Sequence, residues 1–271
     1  MVTSGPGVTN VLTPLADAYY DSTPLIVITG QVGTPDLNSR HGVRQRGFQE
    51  VPTVSITSPI SKLSICLKSS KDVYQNIPHA FELSIEGRQG PVVLDFPMDI
   101  QRLEINDLNK ISTDNKKSNI SINKSDGFNI KDDVVQDIAN AAINAKLPVL
   151  LLGQGALSAG LFEEYIEIAN KLDAAVVTSF LGIGSFDTNN ERYIGYIGHT
   201  GHKIANKIVH ESDFLLVLGS RLDIRQTGNQ VNDFVPNGKV AWIDIDSNEL
   251  DNPRVSIDWS INACISKFCE A

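Results

Sequence analysis

The stretch PVLLLGQG, residues 148–155, carries the strongest fold signal in this sequence. It opens with a short apolar run that ends in glycine, which is typical of a strand buried on both faces of a parallel sheet. Gly153 and Gly155 then form a Gly-x-Gly pair. Glycines at a strand end allow the backbone to approach a phosphate, but they also occur in plain turns that enter a helix. Both interpretations of this pair remain open.

Runs of the same kind recur along the chain and predict further strands at residues 24–30, 91–97, 175–178, 214–219 and 239–245. Apolar residues at helical spacing predict helices at 71–86, 134–145 and 161–172. Strands that alternate with helices predict an α/β fold with parallel sheets. The run 24–30, the helix 71–86 and the run 91–97 are predicted to form one βαβ unit. Ligands of such sheets bind beyond the carboxyl ends of the strands.

Composition excludes several classes of protein. The chain has 271 residues, and 23 Lys and Arg against 32 Asp and Glu give a net charge of −9, which argues against nucleic acid as a partner. No apolar run is long enough to cross a membrane, and the N-terminus has no signal-peptide pattern, so we expect a cytoplasmic protein without a membrane partner. The three cysteines, Cys66, Cys264 and Cys269, have no spacing typical of a disulfide framework or a zinc site. We expect no metal site.

The sequence divides into two α/β stretches around a polar one. Asp, Asn, Lys and Ser dominate residues 106–131, which have too few apolar residues to build a core. We therefore predict a first domain at 1–105, a linker at 106–131 and a second domain at 132–271. These make two parallel-sheet α/β domains.

Two loops of the second domain are candidate anion sites. GSRLDIRQTG, residues 219–228, follows a predicted strand and combines glycines with Arg221 and Arg225, which suits a diphosphate. The alternative is a solvated loop in which Asp223 pairs with one of the arginines. GHTGH, residues 198–202, precedes a predicted helix, and its histidines are more typical of a helix-entry turn than of a metal site.

Two stretches of the first domain are also candidates. TSGPGVTN, residues 3–10, is a glycine turn that opens a helix. RHGVRQRGFQE, residues 40–50, places three arginines in seven residues, so a local positive patch can hold an anionic substrate although the protein is acidic. Each stretch has a plain alternative, as a turn or as a solvated loop.

Taken together, these stretches resemble the acetolactate synthase family of thiamine diphosphate-dependent enzymes. The resemblance covers nearly the whole chain and rests on the segments TSGPG (3–7) with Asn10, PLIVITGQ (24–31), FQE (48–50), GRQGPV (87–92), DFPMDIQ (95–101), GSRLDIRQTG (219–228) and IDID (243–246). It implies that 1–105 is the C-terminal part of a pyrimidine-binding domain. It also implies that 132–271 is a central domain, which in this family carries FAD in a non-redox role.

The resemblance implies a role for individual residues. Phe48 and Gln49 match residues beside the thiazolium and the substrates, Lys62 matches a lysine at the substrate entrance, and Gly5 and Asn10 lie in the cofactor turn. The positions that match contacts with the flavin nucleotide are Gly153, Gly155, Gly198, Gly201, Gly219, Arg221, Asp223, Arg225, Thr227 and Asp244.

The family reaction decarboxylates pyruvate on thiamine diphosphate and joins the product to a second 2-oxo acid. In the family, a glutamate before the TSGPG motif and a Gly-Asp-Gly motif that binds Mg²⁺ and diphosphate after the central domain are required. Neither occurs in these 271 residues. We expect an incomplete acetolactate synthase that assembles as a homo-oligomer or with a complementing chain. The alternatives are a non-catalytic module that binds FAD or ADP, and an inactive gene remnant.

Overall fold

The computed structural model describes residues 1–37, 43–104 and 130–271. Two compact units are present, Met1–Asn123 and Lys124–Ala271. Most of the predicted linker lies outside the described residues, so the extent of the linker and the exact domain boundaries stay predictions. Arg40, from the predicted positive patch, also lies outside them. In the described part of the chain, no helix is long and apolar enough to cross a membrane.

The first unit contains a three-stranded parallel sheet. Its strands are β1 (Leu25–Gln31), β2 (Leu63–Cys66) and β3 (Pro91–Pro97), in the order β1-β3-β2. Leu25 lies opposite Pro91, and Leu63 lies opposite Val92. Val2 extends the sheet by one bridge to Thr29, so the residues just before Gly5 run beside the end of β1.

Helices cover both faces of this sheet. They are α1 (Pro6–Tyr20), α2 (Thr53–Thr57), α3 (Ser70–Ile85) and α4 (Met98–Gln101). One core cluster forms around Leu67, Ala80, Val92 and Leu94, and a second forms around Leu15, Val27 and Val93. Val93 and Leu94 are neighbours on β3 but belong to different clusters, because successive side chains of a strand point to opposite faces.

The predictions for 24–30, 71–86 and 91–97 are confirmed, with one correction. The helix α3 connects β2 to β3, not β1 to β3, and the sequence analysis had missed β2. All four residues of β2 are only partly buried, as expected for an edge strand. Ser64 also interrupts the apolar run on which a strand prediction depends.

The second unit contains a six-stranded parallel sheet in the order β6-β5-β4-β7-β8-β9. The strands are β4 (Pro148–Leu152), β5 (Ala175–Thr178), β6 (Tyr193–Tyr196), β7 (Phe214–Leu218), β8 (Lys239–Asp244) and β9 (Trp259–Asn262). The helices are α5 (Asp132–Ile143), α6 (Gln154–Ala159), α7 (Phe162–Lys171), α8 (Lys203–Glu211), α9 (Ile224–Thr227), α10 (Ser247–Leu250) and α11 (Ile265–Glu270).

Every residue of β4 and β7 is buried, and core clusters cover both faces of the sheet. The strands predicted at 148–153, 175–178, 214–219 and 239–245 are confirmed. So are the helices predicted at 134–145 and 161–172. The edge strands β6 and β9 were missed. The chain proceeds outward from β4 in one direction through β5 and β6, and then in the other through β7, β8 and β9. Such a reversal opens a crevice at the carboxyl ends of β4 and β7.

Candidate functional site

The turn at residues 47–51, here called the Phe48 turn, lies at the carboxyl edge of the first sheet. A Cβ atom built on Gly47 would lie 2.8 Å from Cγ1 of Val32, the residue after β1. A Cβ atom built on Gly5 would lie 2.9 Å from Cβ of Gln49. Gly5 has a φ of 61° and Gln49 a φ of 64°, so both use left-handed backbone. The structure therefore brings together the predicted residues Gly5 and Gln49.

Two side chains hold the Phe48 turn in shape. The carboxylate of Glu50 accepts hydrogen bonds from the amides of Arg46 and Gly47, at 2.8 and 3.3 Å. With its amide group oriented to satisfy both neighbours, Oε1 of Gln45 accepts from the amides of Gln49 and Glu50 at 3.0 and 3.1 Å. The ring of Phe48 is 86% exposed. The turn thus presents an aromatic ring from a backbone that is fixed by its own polar side chains.

A buried polar group, which the sequence analysis missed, lies under this turn. Thr29 Oγ1 donates to Asp95 at 2.7 Å, and Gln31 Nε2 donates to Asp95 at 3.0 Å and to the carbonyl of Val51 at 2.9 Å. Burial raises the pKa of Asp95, and the hydrogen bonds it accepts oppose that rise. Burial and the nearby Asp95 raise the pKa of the Cys66 thiol to about 11.

A further contact ties the loop after β1 to the helix after β3. Asp99 accepts hydrogen bonds from the amide of Thr34 at 2.9 Å and from its hydroxyl at 2.5 Å. These hydrogen bonds hold the pKa of Asp99 below its usual value. Met98, the preceding residue, is 49% exposed. Met98 and Phe48 are thus two exposed apolar side chains at the carboxyl edge of the same sheet.

Two predicted residues of the first unit stand apart from Gln49. Asn10 is an exposed residue of α1. Lys62 precedes β2, and its amide donates to the carbonyl of Pro91, so it lies at the amino edge of the parallel sheet. The Lys62 ammonium donates to the carbonyl of Glu86, and burial lowers its pKa. The Phe48 turn lies at the opposite edge, and the structure does not bring Lys62 to it.

In the second unit, Gly153, Gly155 and Gly219 meet at the carboxyl ends of β4 and β7; we call these three residues the glycine crevice. A Cβ atom on Gly153 would lie 2.1 Å from the carbonyl oxygen of Gly219, and one on Gly155 would lie 2.8 Å from its Cα. Gly219 has a φ of 59°. The glycines are needed because two backbone segments touch here.

The amides of the predicted glycines are already used inside the chain. The amide of Gly153 donates to Leu218, that of Gly155 to Gly219, and that of Gly219 to Ile243, each at 2.9 Å. The amide of Gly201 donates to the Gly198 carbonyl at 2.9 Å, and that of Gly198 to Asn206 Oδ1 at 2.8 Å. A phosphate could not use these five amides unless the hydrogen bonds broke. These internal hydrogen bonds favour the interpretation of the glycines as plain turns over their interpretation as a phosphate site.

The 198–202 turn and the 219–228 loop are in contact. The amide of His199 donates to the carbonyl of Arg225 at 2.7 Å, and a Cβ atom on Gly198 would lie 2.5 Å from that oxygen. Asp223 begins α9 by accepting from the amides of Arg225 and Gln226. The predicted residues Gly198 and Arg225 therefore lie side by side, although 26 positions separate them.

Side-chain contacts stabilise the 219–228 loop. Arg221 forms an ion pair with Asp223 at 3.7 Å, which is the local pairing that the sequence analysis left open. The hydroxyl of Thr227 donates to the carbonyl of Asp223 at 2.9 Å. Arg254, which the sequence analysis missed, contacts Thr227 Oγ1 at 3.4 Å and the Gly228 carbonyl at 3.2 Å. Three arginines thus lie on or beside this loop, enough positive charge to attract an anion.

Asp244 lies at the end of β8, next to β7 in the sheet. It is 8% exposed, and its Oδ1 accepts from the amide of Asp246 at 2.9 Å. In the described ranges 1–37, 43–104 and 130–271, no group of three or more His, Cys, Asp or Glu side chains could hold a metal ion.

Two parallel sheets with glycine turns at the carboxyl ends of their strands place the chain in the class of open α/β proteins, which bind ligands at that edge. The chain belongs to the thiamine pyrophosphate enzymes: residues 135–271 match the family model described as "Thiamine pyrophosphate enzyme, central domain". Residues 1–56 match the model described as "Thiamine pyrophosphate enzyme, N-terminal TPP binding domain". Thiamine pyrophosphate and thiamine diphosphate are two names for one cofactor.

Curated relatives of this chain include acetolactate synthase large subunits. The protein from Lactococcus lactis is 35% identical over 250 residues, which cover 92% of this chain and 41% of that protein. The protein from Haemophilus influenzae is 33% identical, and the match covers 92% of this chain and 42% of that protein. The acetolactate synthase isozyme 3 large subunit from Escherichia coli is 34% identical, and the match covers 92% of this chain and 42% of that protein. The chain spans about two fifths of the length of these relatives.

Proposed function

We propose that this chain supplies the pyrimidine-binding and central parts of an acetolactate synthase-type enzyme, which decarboxylates a 2-oxo acid and joins the product to a second one. The observation that carries the proposal is the contact between Gly5 and Gln49. It places the TSGPG turn and the Phe48 turn, two motifs of the family resemblance, at one edge of one sheet. The relatives' names supply the reaction class.

The Phe48 turn suits the ring end of thiamine diphosphate. The exposed Phe48 ring and the Met98 thioether offer apolar surface to a planar ring, and the Gln49 side chain offers a donor and an acceptor. When bound, the cofactor supplies the electron sink on which a 2-oxo acid loses CO₂. The role of these residues is to orient the rings and keep water away from them.

Two exposed or part-buried carboxylates of this part of the first unit are already engaged, as is the buried carboxylate of Asp95. Glu50 accepts from two amides of the turn, and Asp99 accepts two hydrogen bonds from Thr34. We therefore propose that the proton-relaying glutamate and the Mg²⁺ ligands of the family come from outside residues 1–271. The partner is a second copy of a longer form or a complementing chain, and the compartment is the cytoplasm.

For the second unit we propose a nucleotide, FAD or ADP, bound through side chains and not through glycine amides. Arg221, Arg225 and Arg254 lie on or beside the 219–228 loop, whereas the five glycine amides have partners within the chain. Calorimetry with FAD and with ADP tests this. Arg221→Ala and Arg225→Ala should weaken binding, and a native chain that binds neither nucleotide at high micromolar concentration contradicts it.

The reaction class is tested by complementation. The 271-residue chain is mixed with the Lactococcus lactis large subunit carrying alanine at the positions that match Phe48 and Gln49, with thiamine diphosphate, Mg²⁺ and pyruvate. We expect CO₂ release from the mixture, none from this chain alone, and none when this chain carries Gln49→Ala. Release by the chain alone would refute the need for outside residues, and no release from the mixture would refute the reaction class.

A further inference from the structure

We propose that Asp95, acting through the side chain of Gln31, is the positioning residue of the Phe48 turn. The structural part of the proposal, that Asp95 and Gln31 keep the turn in one conformation, does not depend on the proposed function. Its functional part, cofactor affinity, rests on the proposed function. Neither residue reaches the surface where a substrate would bind, because Asp95 is 2% exposed and Gln31 is 4% exposed.

The hydrogen bonds form a continuous path. Asp95 on β3 accepts from Gln31 Nε2 at 3.0 Å, and the same nitrogen donates to the carbonyl of Val51 at 2.9 Å. Val51 is the last residue of the Phe48 turn and lies two positions after Gln49. The path therefore connects the centre of the first sheet to the backbone that carries Phe48 and Gln49.

Asp95 determines which end of the Gln31 amide group faces it. Both oxygens of Asp95 accept hydrogen bonds, Oδ1 from Thr29 and Oδ2 from Gln31, so Asp95 selects the NH₂ end of the Gln31 amide over the carbonyl end. The other end, Oε1, then faces the amide of Val32, from which it accepts at 3.0 Å. Once both ends are fixed, the second hydrogen of Nε2 points at Val51. A side chain that both donates and accepts at position 95 would not make this choice.

The turn needs an external anchor because its backbone is strained. Gln49 is not glycine, yet it has a φ of 64°, a conformation that persists only where its surroundings hold it. Gln45 and Glu50 hold the turn from within its own segment. The Gln31 side chain adds a hydrogen bond from the sheet to the last residue of the turn, beside the packing of Gly47 on Val32.

The experiment measures hydrogen exchange by mass spectrometry on the 271-residue chain. Peptides covering residues 47–53 report the turn, and peptides from α1 report opening of the whole unit. The variants are Asp95→Asn, which keeps the shape of the side chain, and Gln31→Met, which keeps its length and donates nothing. Thr29→Val is the matched control, because it removes a different buried hydrogen bond to Asp95, from the Thr29 hydroxyl, and leaves the path through Gln31 intact.

We expect Asp95→Asn and Gln31→Met to speed exchange in the turn, relative to α1, about tenfold, which corresponds to the loss of one buried hydrogen bond. Thr29→Val should change this ratio less than twofold. The double variant Asp95→Asn/Gln31→Met should match Gln31→Met alone, because the two residues act in series. Equal ratios in Asp95→Asn and Thr29→Val, or additive effects in the double variant, would overturn the proposal.

Thiamine diphosphate affinity, from calorimetry, is the second readout. Asp95→Asn should weaken it about tenfold, in step with the change in exchange, while Thr29→Val leaves it within twofold. An altered turn with unaltered affinity would overturn the functional part. If the native chain does not bind the cofactor, the functional part fails, whereas the complementation assay still decides the reaction class and the exchange result still decides whether Asp95 positions the turn.

Discussion

The backbone of Gly5 lies against the side chain of Gln49, and both residues adopt left-handed conformations. The contact joins the start of α1 to the Phe48 turn across 44 positions of sequence. Any side chain at position 5 would have to displace Gln49. A substitution at Gly5 or at Gln49 should therefore affect the other residue as well.

Gly5→Ala should destabilise the first unit more than Gly87→Ala does. Gly87 has a nearly equal φ of 58°, but nothing lies within 4 Å of its missing Cβ. Gly87→Ala therefore measures the left-handed strain alone, about 1 kcal/mol. Gly5→Ala adds a clash with Gln49 and a ψ of −110°, outside the left-handed helical region, and should cost about 1–3 kcal/mol more. Hydrogen exchange of α1 in increasing urea measures both values, and equal losses would show that Gln49 moves away freely.

Gly153→Ala should destabilise the second unit by about 2–4 kcal/mol, because the added methyl meets the Gly219 carbonyl and backbone must move. Gly160→Ala is the control: its φ of 67° adds strain, but its nearest neighbouring atom is 4.0 Å away. Both tryptophans of the chain, Trp242 and Trp259, lie in the second unit, so urea unfolding followed by tryptophan fluorescence reports this unit. A Gly153→Ala loss no larger than that of Gly160→Ala would contradict tight packing of the crevice.

Asp213→Asn should lower the stability of the second unit at neutral pH but not in acid. Burial raises the pKa of Asp213, but hydrogen bonds from the amides of Lys146 and Leu147, at 2.7 and 2.9 Å, outweigh burial, and the net pKa is lowered from 3.8. The stabilisation is therefore complete above the unfolded pKa and is lost as pH falls through the folded one. We expect a difference of about 0.5–1 kcal/mol at pH 7, reduced by solvent exposure.

The measurement is urea unfolding of both proteins between pH 2 and pH 7. A difference that persists unchanged at the lowest pH would show that the carboxylate charge is not its source.

Lys62→Met should weaken the first unit by about 1 kcal/mol, because the hydrogen bond from the ammonium to the Glu86 carbonyl is lost. It should leave thiamine diphosphate affinity unchanged, because Lys62 lies at the sheet edge opposite to the Phe48 turn. Lys68→Met, at an exposed lysine, serves as the control for charge. Exchange in α1 and calorimetry measure the two effects. A loss of affinity without a loss of stability would contradict the separation of Lys62 from the cofactor site.

The sequence predicted the central strands because burial on both faces demands uninterrupted apolar runs. Leu150 and Leu216 are examples. Three edge strands, β2, β6 and β9, were missed because one side of each faces solvent, and Ser64 and Gly195 interrupt the patterns of β2 and β6. At the sites, the family resemblance pointed to Gly5 and Gln49, and a glycine pair after a predicted strand pointed to Gly153, but neither signal predicted the residues that contact them. Gln31, Asp95 and Arg254 were missed, because contacts across a fold leave no local sequence pattern.

The central claim is that the Phe48 turn and Gly5 form the ring-binding part of a thiamine diphosphate site. Calorimetric titration of thiamine diphosphate with Mg²⁺ into the native chain, Gly5→Ala, Gln49→Ala and Gly87→Ala tests it most directly. We predict that the native chain and Gly87→Ala bind with equal affinity, and that Gly5→Ala and Gln49→Ala bind at least about tenfold more weakly. Equal affinity in all four proteins, or no binding to the native chain, would contradict the claim.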